Sequence, residues 1–377
     1  MKRIVFAGVL FIILSIIAGI LWYSDFFRRN TNIPLIQELS PSSNSDDLPL
    51  ITTITDGLEV PWDIEFLPDG SLLVTERAGR IVKVNPQTGY KNTILTLSSV
   101  KQIGEGGLHG ITLHPDFEKN NYVYVYYTYE GNGTNTVNKV SRFTYSNSSL
   151  SNEVVILDEI PGASNHDGGA LSFGPDNLLY IATGDAQEPS FAQNQNSLAG
   201  KILRLKDDGT AASGNPFNNR TYSYGHRNSQ GICWNSQGQL YSTEHGPSGA
   251  GSGYDELNLI QAGKNYGWPT IQGDQTQNGM QSPLLQSGNS DTWAPASAAC
   301  INDSVFFGGL RGNALYEAVI KGDGVELKTH LKGELGRIRA VTIGPDSMIY
   351  ISTSNRDGRG VPRGSDDKIL RVNPAKL

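Results

Sequence analysis

The chain has 377 residues, with 43 glycines, 18 prolines, 38% hydrophobic residues and a formal net charge of −7. That length and turn-rich composition suit one large β domain or two ordinary domains, with enough chain to bury a sizeable core. The acidic balance lacks the basic surface that binding to a phosphate backbone requires, so nucleic acid is not an expected partner.

Lys2 and Arg3 precede an uncharged apolar stretch, Ile4 to Tyr23, that ends in Trp22 and Tyr23, residues suited to a bilayer interface. The stretch is longer than the usual apolar region of a secretory signal, and no small-x-small cleavage site follows at once. Residues 1–23 are therefore expected to be an uncleaved membrane anchor. Arg28 and Arg29 balance Lys2 and Arg3, which leaves the orientation open. Residues 24–49 mix Ser, Asn, Pro and acids and read as a flexible linker to a domain over residues 50–377. Asn-x-Ser/Thr triplets at Asn132, Asn147, Asn219 and Asn302 accord with an extracytoplasmic domain. Cys233 and Cys300 could pair in an oxidising compartment or sit as two buried thiols, and both options stay open.

From Leu58 onward one pattern recurs: an apolar or alternating strand, a corner that is most often Pro-Asp, and a second β-rich strand. Its copies are WDIEFLPDGSLLVTE, HGITLHPDFEKNNYVYVYY, GALSFGPDNLLYIATGD, GICWNSQGQLYSTEHG, SAACINDSVFFGG and RAVTIGPDSMIYISTS. Pro followed by Asp, Asn or Gly makes a tight turn between antiparallel strands, and the flanking Val, Ile, Tyr and Phe favour half-buried pleated positions. Units of this length without an amphipathic helix predict an all-β chain, a six-bladed β-propeller of four-stranded antiparallel sheets.

In such a disc the residues about seven to eleven positions before each corner lie where the innermost strand of a blade begins, on one face near the axis. Those places hold Glu105 and His109 in the second copy, and Asn165, His166 and Asp167 in the third. The fourth holds Arg227 and Asn228, and the sixth Arg337 and Arg339, with Arg311 added from FFGGLRGNALY. Each could merely cap a strand in solvent, but several unlike functional types at one offset point to a shared mouth. Arginines aimed at one axis repel each other unless an anion sits among them, so a ligand with several carboxylates or phosphates is expected. No glycine-rich phosphate loop supports a nucleotide. In STEHGPSGAGSGYDELNLIQAGKNYGWP, Gly- and Pro-rich turns leave carbonyl oxygens free, and Asp255 with Glu256 adds hard anionic oxygens, a set suited to calcium or, more plainly, a surface loop with two acids.

The ordered series VPWDIEFLPDG, GEGGLHGITLHPDF, NHDGGALSFGPD, AGKILRL, GHRNSQG, EHGP followed by DELNLI, NYGWP, GGLRG and GRIRA resembles the glucose/sorbosone dehydrogenase family, sugar dehydrogenases dependent on pyrroloquinoline quinone (PQQ). The resemblance covers Leu58 to Pro374. It implies that Glu105, Arg227, Asn228, Arg311, Arg337 and Arg339 face PQQ, a planar tricarboxylate. It further implies that the carbonyls of Gly246 and Pro247 hold a Ca2+ that polarises the quinone, and that Glu256 and the Tyr266 carbonyl hold a second, structural Ca2+. His166 would then be the general base that takes the proton from the C1 hydroxyl of a cyclic aldose as hydride leaves for the quinone, giving a lactone. An external acceptor, a quinone, cytochrome or dye, would reoxidise the cofactor. The sequence departs from the family where Asn165 stands in place of an Asp of some relatives and Gln277 in place of a tyrosine. The loop from Gln187 to Ser197 offers no clear match for a second cofactor-side glutamine. The competing expectations are a calcium-dependent propeller hydrolase, such as a lactonase, and a binding propeller without catalysis.

Overall fold

Six four-stranded antiparallel sheets follow one another along the chain in a computed structural model that describes residues 48–132, 136–247, 253–322 and 324–377. The expected anchor and nearly all of the linker lie outside the described residues. Among the described residues no helix is long and apolar enough to cross a membrane.

The first five blades start with innermost strands Pro61–Phe66, Leu108–Leu113, Leu171–Phe173, Ser229–Trp234 and Pro295–Ile301, and each adds its next three strands outward in order. The sixth runs Ile338–Ile343, Ile349–Thr353 and Ile369–Val372, and its outermost strand is Ile51–Thr55 from the start of the domain. Pairing the domain's first strand with its last, Ile369–Val372, closes the ring and turns Ile369–Val372 into an interior strand of that sheet.

The recurring corner has a common construction. In the first blade Leu67 N donates to Ser71 O at 2.8 Å, Asp69 Oδ1 accepts from Ser71 N at 2.8 Å, and Gly70 takes a φ of 79°. The third and sixth blades repeat it, Gly174 N to Leu178 O and Gly344 N to Met348 O, each at 2.8–2.9 Å. The aspartate satisfies the backbone donor that the reversal frees, which is why Pro-Asp marks these sites.

The cores lie between blades. Leu73 and Ile81 of the first blade pack with Leu108, Ile111, Val123 and Val125 of the second. Phe306 and Leu315 of the fifth pack with Ile338, Ile349, Ile351 and Leu370 of the sixth. Each such side chain contributes about 1.5–3 kcal/mol of burial, so neighbouring blades are held chiefly by apolar contact. Cys233 and Cys300, whose pairing the sequence left open, form a disulfide between the innermost strands of blades four and five, with Cα atoms 5.6 Å apart.

Candidate active site

Because every blade runs its innermost strand in the same sense, the loops that lead into those strands gather at one mouth. They enclose a cavity of about 560 Å³ lined by Glu105, Asn165, His166, Gly246, Pro247, Arg311 and Arg337 among others. Residues from blades two, three, four, five and six thus meet there; of those at the strand offsets, Glu105, Asn165, His166 and Arg337 line the cavity, whereas His109, Asp167, Arg227, Asn228 and Arg339 do not.

His166 lies at the turn before the third innermost strand, with φ 65° in the left-handed region. The turn presses on Gly184, where an added Cβ would stand 1.9 Å from the His166 carbonyl, so that position admits only glycine. The imidazole is held at both nitrogens. Nδ1 is 2.7 Å from Asp185 Oδ1, and Nε2 is 2.9 Å from an Arg227 Nη2. Arginine can only donate, so Nε2 is the acceptor and Nδ1 carries the hydrogen given to Asp185. Asp185 is fully buried and is itself fixed by the Trp268 indole NH at 2.8 Å and by Gln187 N at 2.9 Å. The carboxylate behind the histidine, which the Asn165 departure had called into question, therefore comes from Asp185.

Asp167, beside it in sequence, has a different task. Its Oδ1 accepts from Asn138 Nδ2 at 3.0 Å and Ala163 N at 3.1 Å, and burial pushes its carboxyl up to about 7. It anchors the turn. His109 is likewise structural: burial pushes it down to about 3, and its ring stacks between Trp62 and Tyr126 at 4.9 and 5.7 Å.

Arg227, Arg337 and Arg339 are buried. Arg337 Nε donates to Asp357 Oδ2 at 2.7 Å and its Nη1 to Leu310 O at 3.0 Å. Arg339 donates to Ser354 Oγ at 3.2 Å and Gln230 Oε1 at 3.3 Å, over the Trp62 ring. Burial lowers the Arg339 guanidinium to about 10, so it stays charged near neutrality. Burial raises the Asp357 carboxyl, but Arg337 and Arg339 outweigh it and hold the group below the usual carboxylate range. Asp357 neutralises part of the charge of Arg337 and Arg339 from within the protein. Arg311 lines the cavity from an exposed position. Asn228 is buried, accepting from Gly168 N at 3.0 Å while its Nδ2 has no partner in the protein.

On the fourth blade, Asp255 shapes the Gly246–Pro247 turn. Its Oδ1 accepts from Gly246 N at 2.9 Å and its Oδ2 from Trp293 N and Ala294 N at 2.7 and 2.9 Å. The carbonyl oxygens of Gly253 and Tyr254 crowd Gly246 so closely that a Cβ there would lie 2.0 and 2.4 Å from them. Glu256 and Tyr266 do not line the cavity. Glu256 lies opposite Glu244 in the strand ladder and accepts from Asn258 Nδ2 at 3.1 Å, while the buried Asn258 Oδ1 has no partner in the protein. Tyr266 is buried against His226, ring centroids 4.7 Å apart, and its hydroxyl donates to Leu259 O. Among the described residues no group of three or more His, Cys, Asp or Glu side chains is arranged around a metal site.

The model of the glucose/sorbosone dehydrogenase family matches residues 58–369. The chain superposes on a PQQ-bound aldose sugar dehydrogenase from Streptomyces coelicolor with a TM-score of 0.80 and 36% identity, covering 86% of this chain and 98% of that one. A putative glucose dehydrogenase from Thermus thermophilus is 42% identical with a TM-score of 0.80, over 85% of this chain and 99% of the other. An aldose sugar dehydrogenase of Escherichia coli is 29% identical over 86% of this chain and 92% of its own length.

Proposed function

The chain belongs to the glucose/sorbosone dehydrogenase family, and from that premise we propose that it is a PQQ-dependent sugar dehydrogenase that oxidises the C1 hydroxyl of a cyclic aldose to a lactone. The observation that carries the reading is His166: a cavity-lining imidazole whose Nε2 is kept as an acceptor and whose Nδ1–H is held by a buried carboxylate.

The residues fit the cofactor. The cavity volume lies in the range of small-molecule sites, about 300–1,000 Å³. Arg227, Arg311, Arg337 and Arg339 supply the fixed donors that carboxylates of PQQ need, and Asn228 brings a buried amide NH2 with no partner in the protein. When bound, PQQ supplies the quinone that accepts the hydride from C1. Within the chain, His166 Nε2 removes the proton of the C1 hydroxyl, and Asp185 stabilises the imidazolium that forms. Trp268 and Gln187 keep Asp185 in place, so the imidazole enters the reaction already oriented. The Arg227 contact holds Nε2 at the cavity as an acceptor.

We also propose two calcium sites. The Gly246 and Pro247 carbonyls, on a turn rigidified by Asp255, would hold a Ca2+ at the cavity, whose Lewis acidity polarises a quinone oxygen. Glu256 and the Tyr266 carbonyl would hold the other. Burial and the neighbouring Glu244 push the Glu256 carboxyl upward, a penalty that a cation beside the unpartnered Asn258 Oδ1 would relieve. The proposed location is extracytoplasmic, with residues 1–23 as anchor and 24–49 as linker to the propeller, and the Cys233–Cys300 disulfide supports an oxidising compartment.

The test is the full chain supplied with PQQ and Ca2+, assayed by dye reduction with a panel of aldoses. His166→Ala should lower kcat on the order of a hundredfold or more while titrating PQQ like the parent protein. Near-normal turnover would remove His166 from the mechanism.

A further inference from the structure

One side chain from the last loop of blade six reaches across the cavity to the loops of blades two and three. Arg359 donates through Nη1 to Glu105 Oε1 at 2.5 Å and through Nη2 to Asn165 Oδ1 at 2.8 Å. Its side chain is 53% exposed while that of Glu105 is 15% exposed. The backbone beneath is pinned, because Asp357 Oδ1 accepts from both Arg359 N and Gly360 N, at 2.9 and 3.1 Å, while its other oxygen holds Arg337. Glu105 is fixed from the opposite side, where its Oε2 accepts from the His166 backbone NH at 3.3 Å. Arg359, Glu105 and Asn165 therefore form a joined polar edge that ends on the backbone of the proposed base.

We propose that Arg359 is a specificity-determining residue, which with Glu105 and Asn165 forms a donor–acceptor clamp for neighbouring hydroxyls of an uncharged aldose. This inference rests on the dehydrogenase reading above. Arg227, Arg337 and Arg339 are almost wholly buried, with donors spent on internal partners and on the cofactor anions assigned to them. Arg359 differs: it faces solvent and is paired with a carboxylate, so the edge carries donors and acceptors side by side. A vicinal pair of sugar hydroxyls matches that pattern, one oxygen accepting from the guanidinium and one hydroxyl donating to the carboxylate or amide. The Arg359 end of the pair is open to solvent, so hydroxyls can insert beside it. Although burial pushes Glu105 up, His245 and Arg359 hold its carboxyl well below the usual carboxylate range, and the resident anion disfavours a sugar acid at the same edge.

The experiment compares the full chain with Arg359→Ala and Arg359→Lys, each supplied with PQQ and Ca2+, using D-glucose and a set of singly deoxygenated glucoses. Arg359→Ala should raise KM for glucose on the order of tenfold or more, the loss of a charge-assisted contact, with kcat changed by less than about threefold. Arg359→Lys, which keeps the charge without the planar fork, should fall between. At least one deoxygenated glucose should be a poor substrate for the parent protein yet as good as glucose for Arg359→Ala, which identifies the hydroxyl held. A KM unchanged or lowered by Arg359→Ala would make the arginine a mere counter-ion of Glu105 and overturn the proposal. A tenfold loss of PQQ affinity in that variant would move Arg359 to the cofactor and overturn it equally. Failure of the parent protein to bind PQQ would instead refute the dehydrogenase reading, and the inference with it.

Discussion

Asp185→Asn separates the orientation of the base from the packing of the site. The carboxylate accepts three hydrogen bonds, from His166 Nδ1–H and Gln187 N on one oxygen and from the Trp268 indole NH on the other. An amide has only one oxygen. If that oxygen stays toward His166, the NH2 faces the indole NH, donor against donor. If the amide flips, the NH2 faces Nδ1, the proton moves to Nε2, and Nε2 then meets the Arg227 donor and can no longer accept a proton from substrate. Either arrangement leaves a buried donor unmatched, at a cost of about 1–3 kcal/mol. The second also removes the base. Loss of general-base function predicts a fall in kcat of about 10²–10⁴-fold, with KM little changed. The assay is dye-coupled turnover across a range of pH at saturating PQQ and Ca2+, together with a PQQ titration to confirm that the cofactor site survives. A purely structural role would lower Tm and leave the pH profile in place, whereas the orienting role shifts or abolishes its acidic limb. Turnover within about fivefold of the parent protein at every pH would refute the dyad.

Replacing Arg337 and Arg339 together by Ala should reduce PQQ affinity on the order of a hundredfold or more, from two charge-assisted contacts of roughly 1.5–3 kcal/mol each, and unchanged affinity in a spectral titration would contradict the assignment. The same change strips the counter-ions from buried Asp357, so Tm should fall as well, which a single Arg337→Lys would show in milder form. On the innermost strand of blade one, burial pushes Asp63 up to about 7, and burial with the Asp63 charge pushes Glu65 up to about 8. Both values exceed those of an unfolded chain, so the stability these groups contribute is full below about pH 4 and is lost as pH rises through 7 to 8. Asp63→Asn with Glu65→Gln should therefore raise Tm by a few degrees at alkaline pH and leave it nearly unchanged in acid, and an equal shift at both ends of a calorimetric pH series would contradict the cause.

The blade count could be read from the chain because the Pro-Asp corner solves a local problem, the free NH of a tight reversal, and local problems leave local sequence marks. His166, Arg227 and Arg337 could be found because innermost strands begin at the mouth, whereas Arg311 follows the second strand of blade five, Ser304–Gly309. The same antiparallel logic applies to the second strand, which returns to the mouth at its end. Arg77, Asp185, His245 and Asp357 all lie just past such ends, following Leu72–Glu76, Leu179–Ala182, Leu240–Glu244 and Ile349–Thr353. Asp185 was already the last residue of the third repeat copy, so the signal was present and only the strand's return had to be followed. Pairing across distance was harder. Ile51–Thr55 is a short β-branched segment whose partner, Ile369–Val372, stands at the other end of the chain. The bond between Cys233 and Cys300 likewise follows from blades four and five being neighbours in space. The charge of the arginines is plain in the sequence, but the aspartate folded in among them, Asp357, is not.

The central claim is that this chain, holding PQQ, removes hydride from C1 of an aldose while His166 takes the proton. Its most direct test is a single turnover of the PQQ- and Ca2+-loaded full chain mixed without oxygen or dye with D-glucose, or with glucose deuterated at C1. The cofactor absorbance should change to that of the reduced form within one turnover, several-fold more slowly for the deuterated sugar, and His166→Ala should suppress it on the order of a hundredfold. A loaded protein whose cofactor spectrum is indifferent to every aldose, or whose reduction is as fast in His166→Ala as in the parent, would contradict the account.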